Sequence, residues 1–297
     1  MSKITWIITG CFCLILAFIV FLGQDVSNVT EAQQIEKSFI PSKVQVQQLK
    51  FEQLPEPEGL IGYNKSEYKG RYAIVKALQS EEQLSSDQLV FLKNELVNES
   101  NHEVLRNLIA NVLTNQAEQD PYLYLYFAKM IENESLSMTW REYSLQFLGK
   151  ILPYSADPEF VQAILEDWAS RIDQEAAGTA QLQLAFQEEH GHLQLGEDYT
   201  ELQVESLKQQ DIDLKVKLST LAIMGKRKDP EALPSLRKYA QKLDAPHEQR
   251  VAIAALGNYT KEQLTAADIA MLEGATKADH ELVQIAATTA LARIRGE

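Results

Sequence analysis

The sequence predicts an all-α protein whose main body is an α-solenoid of about six or seven helix pairs. Three Asp-Pro dipeptides support this prediction: Asp120-Pro121, Asp157-Pro158 and Asp229-Pro230, separated by 37 and 72 residues. Asp can cap the free amides of a helix start, and Pro in the first turn loses no hydrogen bond. Because the second gap is close to twice the first, the spacing indicates stacked helix pairs that bury their apolar faces against neighbouring pairs.

Bulky apolar residues at the end of each second helix repeat at the same interval. The gaps between them are 35, 35, 76, 32 and 35 residues, and the anchors are Leu78, Leu113, Leu148, Met224, Leu256 and Leu291. One gap is a doubled period, so a degenerate unit is expected between Leu148 and Met224. Gly178, Gly191 and Gly196 fall in this interval and indicate a break or hinge there.

Residues 1–23 are predicted to form a transmembrane anchor. Residues 4–23 are almost wholly apolar or small, and twenty helical residues span about 30 Å, the thickness of a bilayer core. Lys3 precedes the run and Gln24-Asp25 follows it, which favours a cytoplasmic N-terminus. We therefore expect a single-pass protein of the inner (cytoplasmic) membrane with its body facing the periplasm. Ile8-Thr9-Gly10-Cys11 is similar to a bacterial lipobox, which leaves lipidation at Cys11 open, as is cleavage of the segment.

Residues 24–67 are predicted to be a flexible linker that joins the anchor to the solenoid of residues 68–297. The linker is polar and gains several Pro and Gly residues, and no helical stripe persists in it. From Val44 to Phe51, apolar residues alternate with polar ones, which indicates a possible short strand. Such a strand needs a partner, so the segment either lies along the first repeats, pairs with another protein or remains an extended spacer.

The chain is acidic, with a formal charge of -14 over 297 residues. Nucleic acid and anionic lipid both need a clustered basic surface, so neither is expected as the main partner. Charge is nevertheless uneven along the sequence: residues 76–207 carry 7 basic and 23 acidic side chains, whereas residues 208–250 carry 10 basic and 6 acidic ones. The basic stretch is either a solvated face or a docking patch for an acidic partner.

The run Arg250–Gly257, with Val283–Leu291 as a weaker copy, resembles the second helix of a HEAT repeat of the short bacterial kind. The resemblance covers roughly residues 68–297 and implies an α-solenoid whose inner surface binds another macromolecule. Gln284 stands where an Arg is usual, and the upstream units lack the Ala-rich packing. The tetratricopeptide repeat has a similar period, but its Trp-Leu-Gly-Tyr pattern is absent.

Two groups of residues are candidates for partner contact. Tyr and Trp are favoured at interfaces, and basic residues are concentrated in the stretch described above. Ordinary core packing is the alternative for the aromatic residues. The candidates are Tyr122, Tyr126, Trp140, Lys226, Arg227, Lys228, Arg237 and Lys238.

No nucleophile–base–acid grouping, phosphate-binding Gly loop or dinucleotide fingerprint occurs in the sequence. The sequence therefore predicts no enzyme, no cofactor and no small-molecule substrate. Glu188-Glu189-His190-Gly191-His192 contains metal-ligand residue types, but the Gly between the histidines presents them poorly, and no metal site is predicted. The expected function is a membrane-anchored scaffold or adaptor that binds proteins, with a periplasmic chaperone or assembly factor as the alternative.

Overall fold

The computed structural model describes residues 51–196 and 199–296. Thirteen α-helices and no strand occur within these ranges, so the prediction of an all-helical body is confirmed for this part of the chain. The odd-numbered helices are α1 (Tyr68–Ala77), α3 (Glu103–Thr114), α5 (Met138–Ile151), α7 (Glu175–Glu189), α9 (Leu214–Arg227), α11 (Pro246–Leu256) and α13 (Glu281–Arg295). The even-numbered helices are α2 (Ser86–Leu96), α4 (Tyr124–Glu132), α6 (Pro158–Ser170), α8 (Tyr199–Ser206), α10 (Leu233–Ala240) and α12 (Ala266–Ala275).

The helices form a two-layer repeat. Each odd-numbered helix contacts the next odd-numbered one, from α1 to α13 without interruption, and each even-numbered helix packs on the odd-numbered helix that follows it. Six helix pairs thus follow α1 in the described ranges. In such a stack each pair buries its apolar face only against its neighbours, as the period of the sequence predicts.

Several helix starts follow from the local sequence. Ser85 and Gln88 form the predicted capping box at α2, and Asp157 accepts the amide of Phe160 at α6. The prediction for Asp120-Pro121 is wrong, because α4 begins only at Tyr124 and has no side-chain cap. Asp120 instead lies 2.6 Å from Lys93 Nζ in α2, so an ion pair between units takes the place of the cap.

The predicted degenerate unit is a regular pair, α6 and α7, followed by a short outer helix, α8. Ten consecutive residues of α7, 176–185, are buried. The hinge predicted at Gly178 is absent, because Gly178 lies inside α7, where an added Cβ would be 2.8 Å from Ser219 Oγ of α9. Gly178 therefore permits close helix packing, whereas Gly191, at φ +74°, follows the end of α7.

Residues 51–67 pack on the first helices and are not a flexible linker, which corrects that part of the prediction. The side chain of Asn94 in α2 exchanges two hydrogen bonds with the backbone of Glu52, at 2.9 and 2.5 Å. Leu60 and Tyr63 are fully buried. The segment contains no strand; the rest of the predicted strand and linker, residues 24–50, lies outside the described residues.

The fold class needs one further correction, which concerns the membrane. Among the helices of the described ranges, none is long and apolar enough to cross a bilayer. The segment for which a span was predicted, residues 4–23, lies outside those ranges. What the structure supports is therefore an all-helical, repeat-like body.

Candidate partner-binding surface

The starts of the odd-numbered helices lie side by side along one edge of the body. The ring of Tyr68, the first residue of α1, lies 5.4 Å from the ring of His102, which caps α3. Ser137, the cap of α5, donates a hydrogen bond of 2.6 Å to Glu103, the first residue of α3. The odd-numbered helices α1, α3 and α5 are thus in contact at their N-terminal ends.

The same edge continues through α7 and α9. Lys215 in the first turn of α9 pairs with Glu175 at the start of α7 and lies 3.5 Å from Glu142 Oε2 in α5. Glu142 is buried, and this burial raises the pKa of its carboxyl group, although the charge of Lys215 opposes the shift. Three units are therefore connected by one lysine.

Two further contacts extend the row to the last helix. Lys217 of α9 lies 3.7 Å from Glu248 of α11. The rings of His247 and His280, at the starts of α11 and α13, are 6.3 Å apart. The N-terminal ends of all seven odd-numbered helices therefore form one continuous edge of the described structure.

Four large apolar side chains are exposed along this edge. They are Tyr68 (42% exposed), Val104 (48%), Met138 (37%) and Leu214 (47%). Each is the first or second residue of its helix, in α1, α3, α5 and α9 respectively. A single exposed apolar residue is ordinary, but these recur at equivalent positions in the units of α1, α3, α5 and α9; α7 begins instead with Glu175 and the buried Ala176. We call these four residues the apolar edge.

The charges beside the apolar edge are mostly negative. The turns that lead into α3 and α5 contain no Lys or Arg and expose Glu99 and Glu134, and Glu103 is exposed as the first residue of α3. The start of α1 is mixed, since Glu67 and Lys69 are both exposed. An apolar row with carboxylates between its members is a surface for a ligand that is both apolar and cationic.

The predicted aromatic candidates do not come together. Tyr122 is 60% exposed, and Tyr126 is half-buried with Lys93 Nζ 5.5 Å from its ring centre. Trp140 is fully buried beneath the guanidinium of Arg106, which lies 4.6 Å from its ring centre. Trp140 is therefore a core residue, and its prediction as a contact residue is corrected.

The predicted basic patch is largely neutralised by neighbouring units. Lys226 lies 2.8 Å from Glu189, and Arg227 pairs with Glu188.

Arg237 makes a bidentate pair with Asp268 of α12, with both N–O distances at 2.8 Å. Burial would raise the pKa of Asp268, but hydrogen bonds from Arg237 and Thr265 outweigh that effect and lower it. Lys228 and Lys238 remain exposed, so two of the five basic candidates are presented to solvent without a carboxylate partner in the described structure.

The histidines after α7 are used locally. His190 Nδ1 lies 2.7 Å from the carbonyl of Phe186, and His192 Nδ1 lies 2.7 Å from Gln187 Oε1. Within the described ranges, no group of three or more His, Cys, Asp or Glu side chains is placed to hold a metal ion.

Reasoning from the sequence missed the apolar edge, although a signal for it exists. Each member follows a helix cap directly or by one residue: Glu67, His102, Ser137 and Asp213 are the caps. The first turn of a helix usually carries polar or acidic residues. A large apolar side chain that recurs at this position in several repeats is the signal in the sequence that points to the surface.

The comparisons with known proteins place the chain in no family. No family model matches the chain, and no curated protein matches it. Among solved structures, the chain resembles that of human deoxyhypusine hydroxylase in complex with glycerol. The identity is 17%, the TM-score is 0.34, and the match covers 78% of this chain and 92% of the other.

The comparison corrects the prediction that this chain is not an enzyme. The structure in question is that of a hydroxylase, and the prediction that this chain is not an enzyme is withdrawn. The likeness is too low to assign an activity, substrate or cofactor to this chain.

Proposed function

We propose that this protein is a HEAT-like scaffold or adaptor that binds another protein along its apolar edge. The observation that carries the proposal is the recurrence of exposed apolar side chains at the starts of α1, α3, α5 and α9. A surface built from equivalent positions of several stacked units suits an extended macromolecular partner better than a small ligand.

The HEAT assignment itself rests on α11 and the helices around it. Ala252, Ile253 and Leu256 of the HEAT-like run are buried. An added Cβ on Gly257, at the end of that run, would lie 2.6 Å from the Cβ of Ala290 in α13. Small residues thus allow successive second helices to approach closely, which supports a repeat of this type.

The charge of the chain supports a protein partner over nucleic acid. A net charge of -14 repels a phosphate backbone, and the exposed charges in the turns before α3 and α5 are carboxylates. The location at the inner membrane with the body facing the periplasm stays a prediction, because it depends on residues 1–23, which lie outside the described part of the chain.

Site-specific photo-crosslinking in the cells that produce the protein tests the proposal. A crosslinker at position 104 on the apolar edge is compared with one at position 90. Val90 is the matched control, since it is also an exposed valine (52%) but lies on α2 in the other layer. We expect one stoichiometric crosslinked protein from position 104 and none from position 90.

The outcomes separate the scaffold from its alternative. Many weak crosslinks from position 104 would favour the chaperone or assembly factor that binds unfolded or secreted clients. Equal crosslinking from positions 104 and 90, or none from either, would contradict the apolar edge as the binding surface.

A further inference from the structure

We propose that the occupant of the apolar edge is a basic amphipathic helix of a partner protein, in which Lys or Arg residues flank the apolar ones. This inference rests on the proposed function and names the chemistry of the partner. Its first support is charge: Glu99 and Glu134 are exposed in the turns before α3 and α5, and Glu103 is exposed as the first residue of α3. The arginines in the first turns of these helices, Arg106 and Arg141, are buried and half-buried.

The carboxylates are available to a partner. Glu99 and Glu134 make no ion pair with another described residue, and Glu103 accepts only the hydroxyl of Ser137. By contrast, the acidic residues near α7, Glu175 and Glu188, are paired with cations of α9. Arg106 of α3 interacts electrostatically with Glu99 and Glu103, but it is buried. The carboxylates, and not the arginine, are therefore presented beside Val104 and Met138, where they attract a cationic segment.

The spacing of the apolar residues favours a helix as the occupant. Packed helices lie roughly 8–10 Å apart, so successive members of the apolar edge recur at about that distance. A helix rises 1.5 Å per residue, so apolar residues seven positions apart repeat about every 10 Å on one face. An amphipathic helix laid across the starts of α1, α3 and α5 thus presents one apolar side chain to each.

Fluorescence anisotropy with the purified full-length chain and three synthetic helical peptides tests this chemistry. The first peptide has Leu at heptad spacing with Lys between; the second replaces Lys by Glu, and the third replaces Leu by Ala. We expect the Leu/Lys peptide to bind about tenfold more tightly than the Ala/Lys peptide, and the Leu/Glu peptide to bind least. The affinity for the first should fall as salt is added, since its attraction is partly screened.

Two double variants locate the binding. Val104→Ser with Met138→Ser should weaken the Leu/Lys peptide about fivefold or more. Val90→Ser with Leu202→Ser is the matched control on the even-numbered helices, since both residues are exposed there, and it should change the affinity less than twofold. Both variants are expected to fold, because all four side chains lie at the surface. Far-UV circular dichroism measures whether they do.

Three results would overturn the inference. Equal affinity for the Leu/Lys and Ala/Lys peptides, or equal loss in the two double variants, would mean diffuse attraction to an acidic protein. Tighter binding of the Leu/Glu peptide would mean that the partner has the opposite charge. If any of these results were found together with a stoichiometric crosslink from position 104, the proposal of a basic helical partner would be wrong, and the proposed scaffold function would still be supported.

Discussion

Replacing Gly225 of α9 by Ala tests how closely the stacked helices must approach. The added Cβ would lie 2.4 Å from the Cβ and 2.5 Å from the Cα of Ala255 in α11. One of these atoms belongs to the backbone, so the clash cannot be relieved by rotating a side chain, and the two helices must separate. Overpacking of this kind costs about 1–3 kcal/mol, whereas Ala in place of Gly contributes about 1 kcal/mol of helix propensity.

We therefore expect Gly225→Ala to lower the free energy of unfolding by up to about 2 kcal/mol. Gly274→Ala is the matched control, because Gly274 is also helical, in α12, but has no atom within 4 Å of the added Cβ. This variant should be neutral or more stable by up to about 1 kcal/mol. Both variants replace a helical Gly by Ala, so the gain in helix propensity is the same in each. A difference between their changes in unfolding free energy therefore reports the contact between α9 and α11.

Urea unfolding followed by far-UV circular dichroism measures both variants. Since a stacked repeat need not unfold in a single step, hydrogen exchange of the amides in α9 and α11 should accompany it. Exchange in these two helices should be faster in Gly225→Ala than in the wild type. A Gly225→Ala protein at least as stable as the wild type would refute the close packing of α9 against α11.

Three further substitutions test individual contacts. Tyr259→Phe removes a hydroxyl whose single proton is shared between the carbonyls of Met224 and Asp229, at 3.2 and 2.9 Å, and should lower stability by about 1–2 kcal/mol. Tyr154→Phe, at an exposed tyrosine, should be neutral in the same urea titration. The pKa of Asp268 is lowered, so its contribution is present above pH ~4 and is lost as the pH falls further. Asp268→Asn, which leaves Arg237 unpaired, should therefore be less stable at pH 7, with the difference from wild type shrinking at pH 3. Burial raises the pKa of Glu142, so its contribution to the free energy of unfolding is greatest below pH ~4.3 and is lost as the pH rises. Glu142→Gln should therefore gain stability relative to the wild type between pH 4 and pH 8. A difference in stability between the two proteins that does not change with pH would contradict the raised pKa.

The repeat architecture could be predicted from the sequence because it depends on local signals with a fixed period. Ser85 and Asp157 act as helix caps as expected, since capping involves only residues within one turn. Asp120 did not, because Lys93, 27 residues earlier, pairs with it. A contact between units can override a local preference, and spacing along the chain does not reveal it.

The surface was harder to predict than the fold, and Trp140 shows why. Tryptophan is enriched at protein interfaces, so a tryptophan in the first turn of a helix is a reasonable candidate for partner contact. In the structure it lies beneath Arg106 of the preceding unit and is fully buried. Val104 and Met138 are apolar residues that composition alone favours in a core, and both are exposed. Which side chain faces solvent is decided by the neighbouring unit, and a single helical pattern contains no information about that unit.

The uneven charge of the sequence has its explanation in the same contacts between units. The basic stretch 208–250 follows an acidic stretch, and its Lys215, Lys226 and Arg227 pair with Glu175, Glu189 and Glu188 of the unit before.

The positive charge that suggested a docking patch for an acidic partner is therefore largely neutralised by carboxylates of the same chain. Upstream, Glu99 and Glu134 stay exposed and make no ion pair with another described residue, although the buried Arg106 interacts with Glu99 electrostatically. The carboxylates exposed beside Val104 and Met138 have the opposite sign to the docking patch that the sequence left open, and this is the reason for proposing a basic partner.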